Sequence, residues 1–206
     1  MAALSEWLLS FRPQPERMTA EDYESLPEDV SKTIEIVGGY VVHCESPARD
    51  HQRAVYRLQR LIERHARSAM ERGHDCIEFD FDVDLRLHDI PLTIRRPDVV
   101  LYRCLDRENK ERLRAEHALL VVEVISPGSE LQDTADKHAE YARAGIPHYW
   151  IVRLDATGVS VIEQYQLDQA TGCYKHIGTL MKHEAGGPPV VPAPIPITVD
   201  WAALEY

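Results

Sequence analysis

Three residues in the middle of this chain have the types and order that metal-assisted phosphodiester hydrolysis needs. Asp98 follows Pro97 at the start of one apolar run, Glu123 sits inside a second, LLVVEVIS, and Lys137 falls on the helix predicted after it. Two carboxylates in one cleft favour a hard divalent cation; magnesium takes one or two carboxylates and completes its shell with water and phosphate. Such an ion lowers the pKa of a bound water and polarises a phosphoryl oxygen. A lysine beside the scissile phosphate stabilises developing charge or orients the attacking water.

Each of the three has a rival reading. Residues two apart in a strand share a face, so Glu123 lines up with Val121 and Ile125 among apolar neighbours. A carboxylate there is costly unless paired or metal-bound; the rival to a metal ligand is a structural glutamate bonded to an arginine. An aspartate after proline is, alone, a turn or cap residue, and Asp98 takes its weight from Glu123 on an adjacent strand. For Lys137 the rival is a surface ion pair with Asp133 or Glu140 at helical spacing.

The elements that must position these side chains can be read outward from them. ALLVVEVIS is nearly all apolar, which predicts a central strand covered on both faces. Ser129 with Gln132 reads as a capping box opening the next helix, which Gly145 and Pro147 close. HYWIV follows as another buried strand, so strand, crossover helix and strand predict a parallel pair with a right-handed connection. Upstream, PDVVLYR is a strand reached through a short connection at Pro91, and the highly charged residues 104–117 form a loop with a helical turn. CIEFDFDVDLRL alternates Ile77, Phe79, Phe81, Val83, Leu85 and Leu87 against Glu78, Asp80, Asp82, Asp84 and Arg86, predicting one half-buried strand. Its acidic face either offers metal ligands or faces solvent.

Toward the N-terminus, a short helix capped by Thr19 and Asp22 lies in an arm. TIEIV and YVVHC, joined by Gly38-Gly39, predict a hairpin. A helix over roughly 50–72, capped by Asp50 or Ser46, turns Val55, Leu58, Leu61, Ile62 and Met70 to one side. The other side carries Arg53, Arg57, Arg60, Arg64 and Arg67. That stripe is either a phosphate-contacting face or a solvated face balanced by Glu63 and Glu71. The last third, with GVSVIEQYQL, CYKHIGTL and PIPITVDW, reads as hairpin strands separated by Asp168, Gly172, Gly186-Gly187 and prolines.

Composition sets the bounds. The 206 residues, 44% hydrophobic and 28% charged, fit an arm over 1–30 and a single domain over 31–206. A net charge of -11 argues against broad coating of nucleic acid but leaves a local basic groove open. Cys44, Cys76, Cys104 and Cys173 have no C-x-x-C spacing and read as reduced thiols in a cytoplasmic protein. The first residues lack the basic start and long apolar core of a signal peptide. No apolar run reaches the roughly eighteen residues of a membrane span, so no membrane partner is expected.

At this point the runs RPDVVLY, LLVVEVISPGSELQDTADKHAEYARAGIPHYWIV and IEIVGGYVVHCESPARDHQRAVYRLQRLI together resemble the Uma-two family of putative restriction endonucleases, within the PD-(D/E)XK nuclease superfamily. The resemblance implies an α/β (α+β) class fold: a restriction-endonuclease-like mixed β-sheet flanked by helices, with extra N-terminal and C-terminal β-hairpins. It makes Asp98 the PD aspartate and Glu123 the acid of the E-x-K element, together holding Mg2+ or Mn2+. The usual lysine would stand at position 125, which is Ile125 here; in this family Lys137 takes its place from the following helix. Glu35 and His51 also match, Glu35 as an accessory acid near the metal and His51 as a substrate contact. From the arginine stripe, Arg53, Arg57 and Arg60 are the candidate nucleic-acid contacts.

The leading expectation is therefore a cytoplasmic endonuclease hydrolysing DNA phosphodiester bonds, with water attacking in line at the metal held by Asp98 and Glu123 and with Lys137 assisting. The alternative is a catalytically weak or inactive nuclease-fold protein acting as a nucleic-acid or protein-binding module, which the acidic net charge and Ile125 favour. A small-phosphoester hydrolase, the third reading, lacks a nucleotide-binding loop. Cutting both strands at once needs two sites, and exposed hairpin edges can pair, so a homodimer is expected.

Overall fold

The chain runs α1 (Ala20–Glu24), α2 (Glu28–Ser31), β1 (Ile34–Val37), β2 (Tyr40–His43), α3 (Arg49–Glu71), β3 (Ile77–Asp80), β4 (Leu85–Asp89), β5 (Leu92–Arg95), β6 (Val99–Arg103) and β7 (Ala118–Ile125). It continues with α4 (Leu131–Arg143), β8 (His148–Asp155), β9 (Gly158–Asp168), β10 (Cys173–Met181), β11 (Val190–Val191) and β12 (Ile197–Thr198). The computed structural model describes residues 16–44, 47–106, 108, 112–125, 131–183 and 187–206, with backbone alone at 131–133. The predicted capping box at Ser129 lies outside the described residues.

The main sheet has six strands in the order β10-β9-β8-β7-β6-β3. Only β7 and β8 are parallel, joined across α4 as the strand–helix–strand pattern predicts; the other neighbours are antiparallel. The apolar run of β7 serves two cores at once. Leu120, Val122 and Val124 pack with Val99, Leu101 and Trp150 against Leu58, Leu61 and Ile62 of α3. Val121, on the other face, packs with Val100, Tyr149 and Ile151 against Tyr141, Ala142 and Ile146 from α4 and its C-terminal turn. The mixed sheet flanked by helices is thus the predicted fold class. The stripe on α3 is a large part of its stability, since each fully buried Leu or Ile contributes roughly 1.5–3 kcal/mol.

A second, antiparallel sheet of four strands, β2-β1-β5-β4, carries the N-terminal hairpin. Gly38 and Gly39, at φ 59° and 88°, turn between Val37 and Tyr40 as the two-glycine connection predicts. Thr19 and Asp22 form their reciprocal cap, and Tyr23 of α1 is buried with its hydroxyl 2.7 Å from Asp84 Oδ2.

Four expectations need correction. The run from 76 to 87 is not one strand: β3 pairs with β6 in the large sheet and β4 with β5 in the small one. The chain changes sheets at Phe81–Asp84, where Asp82 adopts φ 52°, a left-handed backbone that aspartate tolerates better than most residues. The four residues Leu92–Arg95, expected to belong to a connection, form the buried strand β5. Helix α3 starts after Ala48 with no side-chain cap, and Asp50 lies inside its first turn; Ser46 is outside the described residues. Cys76 and Cys104 form a disulfide, one position beyond the Ile77–Arg103 pair of β3 and β6, while Cys44 and Cys173 are free thiols. The disulfide removes the ground on which cysteine spacing pointed to a cytoplasmic compartment. Among the described residues no helix is long and apolar enough to cross a membrane.

Candidate active site

Register brings the two acids together. Val99 of β6 faces Val122 of β7, so Asp98, one residue earlier, stands beside Glu123, one residue later. Asp98 lies just outside its strand and its carboxylate turns across the sheet end: Oδ2 accepts from the Val124 backbone N–H at 2.6 Å. Its other oxygen, Oδ1, is 2.8 Å from Nε2 of His51, in the first turn of α3. His51 is thus the group through which the long helix reaches the site.

Glu123 is 7% exposed, and two residues of α4 satisfy it. The Lys137 ammonium donates to Oε2 at 3.1 Å, and the Tyr141 hydroxyl donates to Oε1 at 2.7 Å. Residues four apart share one helix face, and Lys137 and Tyr141 present that face to β7. The surface pair between Lys137 and Glu140 does not form: Glu140 is bound to Arg95. Nor, among the described residues, is Glu123 held by an arginine. Burial pushes its carboxyl up to about 7, with the neighbouring Asp98 and Glu35 charges adding and Lys137 and the Tyr141 hydrogen bond opposing. Burial pulls the His51 imidazole down, but its bond to Asp98 and the charges of Asp98 and Glu123 outweigh that and leave it above its ordinary value.

Glu35 sits beside this group with both oxygens engaged: Oε2 accepts from Arg95 Nη1 at 2.7 Å and Oε1 from the Arg96 backbone N–H at 2.8 Å. Ile125 occupies the position where the usual lysine would stand; it is half-buried and packs against the α4-side core. The arginine stripe is elsewhere. Helix α3 covers the sheet face opposite Glu123, and Arg57, Arg60, Arg64 and Arg67 line an open groove on the outer side of that helix, with Glu63 and Glu71 among them. Arg67 pairs with Glu63 at 2.6 Å, Arg53 with Asp50 at 3.7 Å, and Arg57 donates to the Ala203 carbonyl at 3.3 Å.

The structure thus joins Asp98, Glu123, Lys137 and His51 in one cluster, sets Glu35 at its border and leaves Arg57 and Arg60 on the far side. Residue-by-residue reading gave no role to Tyr141 or Arg95, and took Glu140 only as a surface partner for Lys137. For Tyr141 the signal was its spacing of four from Lys137.

The donor set fits a hard divalent ion. Among the described residues no three His, Cys, Asp or Glu side chains converge as a metal cage. Two carboxylates alone suit Mg2+ or Mn2+, which keep most of their shell for water and substrate oxygens, and not a closed zinc site. A carboxylate offers about four acceptor positions, so the two bonds each already accepts leave capacity.

A family model described as "Uma2: Putative restriction endonuclease" matches residues 20–195. Among solved structures, the chain is similar to one titled a putative nuclease belonging to DUF820, from Anabaena variabilis. The TM-score is 0.59 at 14% identity, over 86% of this chain and 89% of that one. No curated protein matches. With the family model spanning most of the sequence, from α1 to the residues just before β12, this chain belongs to the Uma2 family of putative restriction endonucleases.

Proposed function

We propose that the chain is a divalent-cation-dependent nuclease that hydrolyses phosphodiester bonds in DNA. The observation that carries the reading is the meeting of Lys137 and Glu123 beside Asp98, at the end of the parallel β7–β8 pair of the main sheet. Asp98 and Glu123 would hold Mg2+ or Mn2+; when bound, that ion supplies a more acidic water and charge neutralisation at the phosphoryl group. Lys137 holds an ammonium where negative charge would develop. Tyr141 fixes the Glu123 carboxylate from the buried side, and His51 and the Val124 N–H fix Asp98. Cutting both strands in one encounter calls for two copies, and the exposed edge strand β2, with Tyr40, Val41 and Val42 outermost, offers a surface for pairing.

A second reading has one observation behind it. Every carboxylate oxygen of Asp98 and Glu123 already takes a protein donor, which suits a nuclease fold retained for binding nucleic acid or protein without cleavage. Purified protein with supercoiled plasmid and Mg2+ or Mn2+ separates the two. Cleavage that a chelator stops, and that Glu123→Ala and Asp98→Ala each reduce by at least about 100-fold, is the expected result. DNA retention with no metal-dependent cleavage of DNA or RNA, and no heat of metal binding, would leave the binding module standing.

A further inference from the structure

Arg95 is the most deeply buried charged residue near the site, at 3% exposed. All three guanidinium nitrogens are engaged. Nε and Nη2 fork onto Glu140 at 2.6 and 3.0 Å, and Nη1 reaches Glu35 at 2.7 Å. The three partners come from three elements: Glu35 from β1, Arg95 from the end of β5, Glu140 from α4. Ile36 pairs with Ile94, so Glu35 and Arg95 are neighbours across the two strands of the small sheet. The fork therefore ties that sheet to the helix lying on the large one.

The place of the tie along the chain gives it a role. Arg95 is three residues before Asp98, in the stretch Arg95-Arg96-Pro97-Asp98 that leads into β6. Glu140 is three residues after Lys137 and directly precedes Tyr141, and residues three apart share a helix face. One bidentate bond thus fixes the approach of one metal-binding candidate, Asp98, against the helix that grips the other, Glu123. A bidentate arginine–carboxylate pair sets orientation as well as distance, which a lysine does not.

We infer that Arg95 is a positioning residue: through its fork on Glu140 it holds α4 in the register that places Lys137 on Glu123 beside Asp98. The inference deepens the nuclease reading and, for its kinetic arm, rests on it. Glu35 then belongs to the clamp, as the second carboxylate that balances the buried guanidinium, and acts on the site through Arg95.

Two variants test the clamp. Arg95→Lys keeps the charge without the fork, and Glu140→Gln changes one atom and almost no volume, so it carries the test if the first does not fold. In folded variants, judged by circular dichroism, kcat for plasmid cleavage falls roughly 10- to 100-fold, as for a misplaced catalytic group, while KM stays within twofold. A second readout needs no activity: acylation of each lysine by an amine-reactive ester, followed by peptide mass spectrometry. Lys137, shielded and paired in the native chain, labels at least tenfold faster in the variants, while exposed Lys32 and Lys175 label as before. Folded variants with unchanged Lys137 labelling overturn the inference. A native chain that cleaves nothing sinks the nuclease reading alone, and the labelling result still decides the clamp.

Discussion

The Lys137 ammonium meets Glu123 Oε2 at 3.1 Å, although the two residues are 14 positions apart and arise on different elements. The contact ties Lys137 to the buried acid, whereas the side chain of Asp133, its other surface partner at helical spacing, is outside the described residues; a sharp expectation follows. Lys137→Ala lowers kcat by roughly 100-fold or more, the usual cost of losing a group that stabilises transition-state charge. Metal affinity, measured by calorimetry, stays within a few-fold, because both carboxylates remain. Full cleavage activity in that variant would make the lysine a structural partner of Glu123 and no more.

His51 gives the site a pH-dependent link to α3. Its folded pKa lies above the ordinary 6.5, with burial opposing and Asp98 and Glu123 prevailing. A group whose pKa rises on folding takes up protons in the folded state, so its contribution is full below about 6.5 and is lost as pH rises through the folded value. His51→Gln should therefore lower Tm at pH 6, by roughly 2–4 °C if about 1 kcal/mol is at stake in a domain of this size. The gap should narrow as pH rises through the folded value. A gap that widens with pH contradicts the sign of the His51–Asp98 interaction.

The arginine stripe stands away from the two carboxylates. Arg57 and Arg60 face away from the sheet on the side opposite Glu123, in a groove shared with Glu63 and Glu71. Charge reversal at both, Arg57→Glu with Arg60→Glu, is expected to leave plasmid cleavage within about twofold and the salt dependence of DNA binding unchanged. An arginine that neutralises a duplex phosphate accounts for about 0.9 of the logarithmic salt slope. A slope flatter by one to two in the double variant would therefore restore the stripe as a DNA-binding face.

What the sequence could reveal follows from which signals are local. The apolar run around Glu123 announced both the central strand and the cost of its acid, and the strand–helix–strand order announced the parallel pair. Period-two alternation from 76 to 87 misled because it continues through the turn at Asp82; the pattern records burial, not which sheet a residue joins. Arg95 was invisible for a related reason. Its two acids lie 60 and 45 residues away, and nothing in a four-residue strand distinguishes an arginine bound for the interior. The Cys76–Cys104 bridge likewise depends on β3 and β6 being neighbours, which spacing along the chain does not report.

The crossover of α4 between β7 and β8 has a consequence for how the site assembles. The Glu123–Lys137 contact closes a loop of 14 residues, and Tyr141 closes one of 18. The Arg95–Glu140 fork closes one of 45. Loop closure costs about (3/2)RT ln n, so the fork is roughly 1 kcal/mol more demanding of chain entropy than the lysine contact. The acid and its cation therefore meet within a single supersecondary unit, whereas the clamp joins that unit to the small sheet and turns a local pairing into a fixed site.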